Sequence, residues 1–411
     1  LKRDWAFDGV VVSDWGGTHD TKQAAENGLD MEFGSWTDGL SWGASNAYDN
    51  YYLAAPYLDM LRKGEASAAT LDDKARRVLR LIFRTAMNTR KPFGSLNSPE
   101  HLAAARRIAG EGMVLLKNEG GVLPIDLGRA KTIAVVGENA IKMMTVGGGS
   151  SSLKVRHEYT PLEGIRAAAA GKAEVIYERG YVGDVTGDYN GVKTGQDLSE
   201  SRSEAQLIAD AAAMPWIDRV PAVLEAWFSG SEAGNALADV VFGAVNPSGK
   251  LPFTFPVRLE DNGAHALGEY PGSDKVKYNE SIFVGYRWHD KEQLKPLFAF
   301  GHGLSYTAFA VGNVKADRTT LAPNGSIRIS ADVTNTGDRA GAEVVQLYIG
   351  DEQSSLPRPV KELKGFQKVS LNPGQTRTVT FEITPGMLQY YDDAKGAWVA
   401  EPGAFTAYVG A

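Results

Sequence analysis

The chain of 411 residues contains no cysteine. This absence excludes a disulfide framework, thiol catalysis and a thiolate-bound metal. There is also no apolar run of the roughly 18 to 20 residues that a membrane helix needs, so no membrane partner is predicted. The sequence starts at Leu1 in mid-pattern, without Met, and we expect the natural N-terminus to lie outside it. The compartment stays open, with a bacterial periplasmic or secreted location favoured.

The sequence also has no excess of basic residues. The formal net charge is -7, which argues against a nucleic-acid partner and favours a neutral substrate over a polyanion. Hydrophobic residues make up 43% and charged residues 23%, as is ordinary for a globular protein. The length allows two to four domains. The histidines show no metal-ligand spacing, so no metal site is predicted.

The start of the chain has the pattern of a strand, a helix and a second strand. Residues 7–13 are apolar and rich in β-branched side chains, which is typical of a strand buried on both faces. This run ends at Asp14, and Thr18 or Asp20 is suited to cap the helix that follows. Residues 29–33 are the next strand candidate. One such unit is not a domain, because parallel strands need neighbours.

The rest of the chain divides by its periodicity. Residues 48–98 are predicted to be a helical segment and linker, with Thr70 as a helix cap. Strands that alternate with helices over 99–255 predict an α/β sandwich with a mostly parallel sheet. Residues 256–310 are irregular and form a connector. From 311 to 411 the period is two, with turn signals between short strands, which indicates a β-sandwich.

The first candidate for chemistry is Asp14, at the carboxyl end of its strand. In a (β/α)8 barrel this end of the strands forms the active-site face, and a carboxylate there can act as a nucleophile toward a sugar. Trp15 offers a flat surface on which a sugar ring can stack. Spacing alone leaves an alternative open, in which Asp14 caps the following helix and Trp15 lies in a core.

Several motifs, in order along the chain, resemble those of glycoside hydrolase family 3. They are GVVVSDWG at 9–16, GLDME at 28–32, EGMVLLKNEGGVLP at 111–124, GGGS at 147–150, TPLEGI at 160–165, PSGKLP at 247–252, FVGYR at 283–287 and FGHGLSY at 300–306. The last hundred residues resemble the fibronectin type III-like domain of many members. The resemblance covers nearly the whole chain.

This resemblance implies a multidomain protein. Residues 1–47 would be the last two strands of a TIM-type (β/α)8 barrel, followed by the α/β sandwich and the fibronectin type III-like β-sandwich. It also implies a retaining exo-β-glycosidase with Asp14 as nucleophile and Trp15 in the substrate site. The expected enzyme is a β-glucosidase that acts on oligosaccharides or on aryl or alkyl β-glucosides and needs no cofactor. Alternatives are a β-xylosidase, a β-N-acetylglucosaminidase, or a non-catalytic sugar-binding or structural remnant. Whether the protein forms a homodimer is left open.

The chain departs from the family pattern at the expected acid/base. The family places this glutamate on a loop of the second domain, in a Glu-Gly-x-Asp-Arg setting. Here the sequence runs directly into Met214, so we expect a deletion or a missing stretch near residues 213–214. Glu200 and Glu204 are nearby carboxylates in a different context. The acid/base is therefore left unassigned.

Other candidate sites receive structural interpretations. The glycine-rich stretch at 147–152 lacks the ending of a phosphate loop and is expected to face the barrel mouth. A loop or capping role is expected for His19 and Asp20. For Asp30 and Glu32 structural roles are favoured, with one of the two expected to face the barrel mouth and the other away.

Aromatic residues of the sandwich, Tyr390, Tyr391 and Trp398, raise the question of a sugar-binding surface. Aromatic side chains at such places more often fill a sandwich core or pack against the next domain. We therefore expect these three residues to be structural.

Overall fold

The computed structural model describes residues 1–34, 49–92, 94–141, 145, 155–178, 214, 216–270, 272 and 275–411. They form two compact units, Leu1–Leu96 and Asn97–Ala411. Among the described residues, no helix combines the length and the apolar character needed to cross a membrane.

The first unit contains a parallel strand pair and three helices. In chain order these are β1 (Val12–Trp15), α1 (Thr21–Glu26), β2 (Met31–Phe33), α2 (Ala55–Lys63) and α3 (Ala68–Arg84). The expected cap of α1 is confirmed, since the Asp20 carboxylate accepts a hydrogen bond from the Gln23 N–H at 2.7 Å. The expected cap of α3 at Thr70 is wrong. This helix begins earlier because the Ser67 hydroxyl accepts a hydrogen bond from the Ala69 N–H.

The second unit starts with strands and helices in alternation. They are α4 (Pro99–Gly112), β3 (Val114–Asn118), β4 (Thr132–Val136), α5 (Pro161–Ala169), β5 (Glu174–Glu178), β6 (Ala222–Glu225) and α6 (Ala233–Val241). Strands β4 and β5 are parallel, but β3 and β6 are antiparallel. The expectation of a mostly parallel sheet therefore holds for one of these two pairs and fails for the other.

Helices α5 and α6 approach each other closely at two glycines. A Cβ atom on Gly164 would lie 1.9 Å from the Gly234 carbonyl oxygen, and one on Gly234 would lie 2.0 Å from the Thr160 carbonyl oxygen. Thr160 caps α5, and the Glu163 carboxylate accepts a hydrogen bond from the Thr160 N–H at 2.8 Å. The start of α5 is thus fixed both by its capping box and by the neighbouring helix.

The described residues after α6 form short helices and the β-sandwich. Their elements are α7 (Gly263–Ala266), α8 (Tyr286–Lys291), β7 (Phe309–Ala316), β8 (Ile327–Asn335), β9 (Gly341–Asp351), β10 (Glu362–Leu371), β11 (Thr376–Ile383), α9 (Pro385–Leu388), β12 (Tyr390–Asp392), β13 (Ala397–Val399) and β14 (Phe405–Gly410). Two three-stranded sheets, with strand orders β10-β9-β14 and β11-β8-β7, enclose an aliphatic core.

A cluster of charged side chains ties α8 to the sandwich. The Glu362 carboxylate accepts a hydrogen bond from Arg358 at 3.0 Å and pairs with Arg287 at 3.1 Å and Lys364 at 3.3 Å. Burial opposes ionisation of Glu362, but these three cations outweigh it and lower the pKa of its carboxyl.

The approach of α5 and α6 predicts that Gly164→Ala destabilises the protein by about 1 to 3 kcal/mol or more, because the added methyl meets a backbone carbonyl that has no room to move. The matched control is Gly112→Ala, where a Cβ atom would meet nothing within 4 Å. Thermal unfolding followed by calorimetry measures both. Equal melting temperatures for the two variants would contradict this packing.

The charged cluster predicts a pH-dependent effect of Glu362→Gln. Because the folded-state pKa of Glu362 lies below the usual value of 4.5, its charge stabilises the fold above that pH, and this contribution is lost as the pH falls below it. The variant should lose about 2 kcal/mol at pH 7, and the difference from wild type should shrink progressively below pH 4.5. Urea unfolding at several pH values tests this. A difference that does not change with pH would exclude the ionic contribution.

Candidate active site

Asp14 lies near the carboxyl end of β1, and its side chain is exposed. One carboxylate oxygen accepts a hydrogen bond from the Trp15 N–H at 2.7 Å. The Gly17 N–H binds the Asp14 carbonyl oxygen at 3.0 Å, which closes a tight turn directly after the strand. Helix α1 takes its cap from Asp20. The alternative in which Asp14 caps that helix is therefore wrong.

Trp15 presents its indole beside Asp14. The side chain is 60% exposed, and its ring lies 5.6 Å from the ring of Phe33, at the end of β2. Gly34 permits this arrangement, because a Cβ atom there would lie 2.3 Å from the indole and the backbone φ is +63°. The alternative in which Trp15 lies in a core is not met in this unit. An exposed aromatic face and an exposed carboxylate are neighbours at one strand end.

Asp30 holds the strand that carries Asp14. Its carboxylate is fully buried, pairs with the Lys2 ammonium at 2.6 Å and accepts a hydrogen bond from the Val11 N–H at 2.8 Å. Val11 directly precedes β1, and the Asp30 N–H in turn binds the Val11 carbonyl oxygen at 2.9 Å. These contacts fix β1 against β2, which agrees with the structural role expected for Asp30.

Glu32 holds a different backbone segment. Its two oxygens accept hydrogen bonds from the N–H groups of Tyr52 and Leu53 at 3.1 and 2.7 Å. Burial raises the pKa of Glu32, and these two donors oppose the rise. That one of Asp30 and Glu32 faces the barrel mouth and the other faces away stays a prediction. Both carboxylates bind backbone amides.

Lys74 is a buried cation that sequence reasoning missed. It lies on α3, is 5% exposed, and donates to the carbonyl oxygens of Leu29 and Ala24. Burial lowers the pKa of its ammonium. A signal was available, because position 74 falls three residues after Leu71 and four before Val78, within the apolar stripe of the helix.

The remaining candidates are described only in part. His19 is exposed in the loop before α1. Glu200, Glu204, the stretch 147–152 and residue 213 lie outside the described residues. Among the residues that the structure describes, no group of three side chains is arranged to hold a metal ion.

The aromatic residues of the sandwich divide into two kinds. Tyr390 is buried, in agreement with a structural role. Tyr391 and Trp398 face each other across β12 and β13 with ring centroids 5.7 Å apart. Both are exposed, so the expectation that they fill a core is wrong for this pair.

Comparison with known families identifies two segments. The glycosyl hydrolase family 3 C-terminal domain matches residues 113–214 and 207–306. The fibronectin type III-like domain matches residues 343–411. The chain belongs to glycosyl hydrolase family 3.

Curated relatives in this family match the chain over its whole length. "Beta-glucosidase BoGH3A" of Bacteroides ovatus is 44% identical over an alignment of 475 residues, and "Thermostable beta-glucosidase B" of Acetivibrio thermocellus is 36% identical over 455. The family 3 chain spans 63% and 58% of their lengths.

Solved structures show the same fold. A β-glucosidase from Chaetomella raphigera is 29% identical with a TM-score of 0.81, and the family 3 β-glucosidase of Bifidobacterium adolescentis is 28% identical with a TM-score of 0.81. Each covers all of this chain, which spans 67% and 64% of the two structures.

The contacts of Asp30 predict that Asp30→Ala lowers the free energy of unfolding by about 3 kcal/mol, since it leaves the Val11 N–H without its acceptor and removes the shorter of the two carboxylate contacts of the Lys2 ammonium. Urea unfolding measures the loss. The control, Asp20→Ala, removes an exposed helix cap and should cost less. If the two variants lose equal stability, Asp30 does not anchor β1.

Proposed function

We propose that the protein is a retaining exo-β-glycosidase, and specifically a β-glucosidase, with Asp14 as its nucleophile and Trp15 in its substrate site. The observation that carries the proposal is the exposed Asp14 carboxylate at the end of β1, beside an exposed indole and not used as a helix cap. The names of the relatives support β-glucosides as substrates.

The proposed reaction has two displacement steps. An Asp14 oxygen attacks the anomeric carbon, the bond to the leaving oxygen breaks, and a second carboxylic acid protonates that oxygen. The second carboxylate then removes a proton from water, which attacks the anomeric carbon and releases Asp14. The hydrogen bond from the Trp15 N–H orients the nucleophile, and the indole supplies the face against which the sugar ring packs.

The proposed organisation of domains follows the sequence analysis. Residues 1–47 are the end of a TIM-type barrel, 48–98 a helical segment and linker, 99–255 the α/β sandwich, 256–310 a connector and 311–411 the fibronectin type III-like domain. The parallel pairing of β1 and β2 around α1 supports the barrel assignment.

A deletion near residues 213–214 is part of this proposal. The family 3 domain matches in two pieces that meet at residues 207–214. The alignment with the Bacteroides relative, at 475 residues, is also longer than the 411-residue chain. Both findings support the view that the relatives have additional residues inside the aligned region. The acid/base stays unassigned.

The nucleophile proposal predicts that Asp14→Ala lowers kcat on p-nitrophenyl β-glucoside about 10⁴-fold, because the covalent route is lost. Asp20→Ala is the matched control, since it alters a nearby exposed carboxylate and should keep most of the activity. Azide should partly restore turnover to Asp14→Ala by taking the place of the carboxylate. Near-wild-type turnover by this variant would exclude Asp14.

Three further measurements complete this test. A 2-fluoroglucoside should label the peptide that contains Asp14, as mass spectrometry can show, and product NMR should show retained configuration. A panel of aryl glucosides, xylosides and N-acetylglucosaminides separates the three glycosidase activities. Absence of turnover on the entire panel would favour the non-catalytic alternative.

A further inference from the structure

The second unit contains a pocket of about 260 Å³ at the N-terminal ends of α4, α5 and α6. Its volume is just below the range of about 300 to 1,000 Å³ that is common for drug-sized ligands, which suits one small ring. The polar and aromatic residues that line it are Asn97, Arg156, His157, Tyr159, Ser231 and Glu232.

The walls of the pocket are held in place by backbone hydrogen bonds of its own segments and by a neighbouring buried carboxylate. The Tyr159 N–H binds the Ser231 carbonyl oxygen, and the Gly234 N–H binds the Tyr159 carbonyl oxygen, each at 2.9 Å. Buried Glu158 accepts hydrogen bonds from the backbone and the hydroxyl of Thr145. The pocket is therefore pre-formed, and a ligand does not need to order the two facing segments on binding.

The pocket has one positively charged group, Arg156, and one negatively charged group, Glu232. The Arg156 guanidinium is exposed and, within the described part of the chain, takes part in no hydrogen bond or ion pair. Glu232 is 6% exposed, and one of its oxygens accepts a hydrogen bond from the Asn235 amide at 2.7 Å. These two charges cancel, which favours a neutral ligand over an anion.

The other lining groups suit a hydroxyl-rich ring. The rings of His157 and Tyr159 meet edge to face with centroids 4.3 Å apart and form an aromatic edge. The amide of Asn97 and the hydroxyl of Ser231 add uncharged donors and acceptors. A guanidinium and a carboxylate can each bind two neighbouring hydroxyl groups, as sugars present them.

We infer that this pocket binds a single neutral sugar ring, with Arg156 and Glu232 as its polar contacts and Tyr159 as its aromatic contact. The choice of D-glucose as the probe rests on the proposed function, whereas the pocket itself does not depend on Asp14.

Calorimetric titration of D-glucose into the full chain tests the inference, in an Asp14→Ala background that is matched across all variants. Arg156→Ala and Glu232→Gln should each weaken binding about tenfold, because each removes a charge-assisted hydrogen bond. The matched control is Arg107→Ala, which removes an exposed arginine of α4 and should leave the affinity unchanged.

Three outcomes would overturn the inference. They are no saturable binding of glucose, equal affinity for Arg156→Ala and Arg107→Ala, or tighter binding of inorganic phosphate than of glucose. Equal melting temperatures of the two arginine variants verify that the fold is intact. Arg156-dependent binding in a protein without glycosidase activity would sustain this inference while the proposed function fails, so the two failures are distinguishable.

Discussion

The position of the candidate nucleophile depends on one buried carboxylate. Asp30 joins the Val11 N–H and the Lys2 ammonium, and so fixes β1 against β2. A buried charge costs free energy unless it is paired and hydrogen-bonded, and here both conditions are met. Because β1 carries Asp14 three residues after Val11, any shift of this contact would move the carboxylate that the proposed chemistry uses.

Two aspartates of the same strand pair therefore have opposite roles, and their surroundings decide which is which. Asp30 is surrounded by a cation and a backbone donor that satisfy its oxygens, so it contributes to stability. Asp14 lies in a turn that supplies one neighbouring N–H and leaves the side chain exposed. A nucleophile must reach a substrate atom, and this condition is compatible with Asp14 but not with Asp30.

Sequence patterns predicted the long periodic elements better than the exact ends and the short apolar runs. The period-two pattern over residues 311–411 agrees with the strands of the β-sandwich, and of the two suggested caps of α1, Asp20 is the one that is used. A short apolar run such as residues 114–116 fits a helix or a strand equally, and only its pairing with β6 decides for the strand. Edge strand β7 is exposed over its last five residues, so it carries little of the period-two pattern. The anchoring role of Asp30 depends on Lys2, 28 positions away, and local spacing does not contain that information.

The close approach of α5 and α6 links packing to the proposed sugar pocket. Gly164 and Gly234 leave no volume between the helices. The segment that leads into α5 at Thr160 and the segment that leads into α6 at Glu232 therefore cannot separate without losing this contact. The same backbone bonds that join Tyr159 to Ser231 and Gly234 form the wall of the pocket. A rigid wall lowers the entropy cost of binding, but it also prevents adjustment to a larger ligand. The packing of two glycines thus limits which molecules the pocket can accept, although neither glycine has a side chain to contact them.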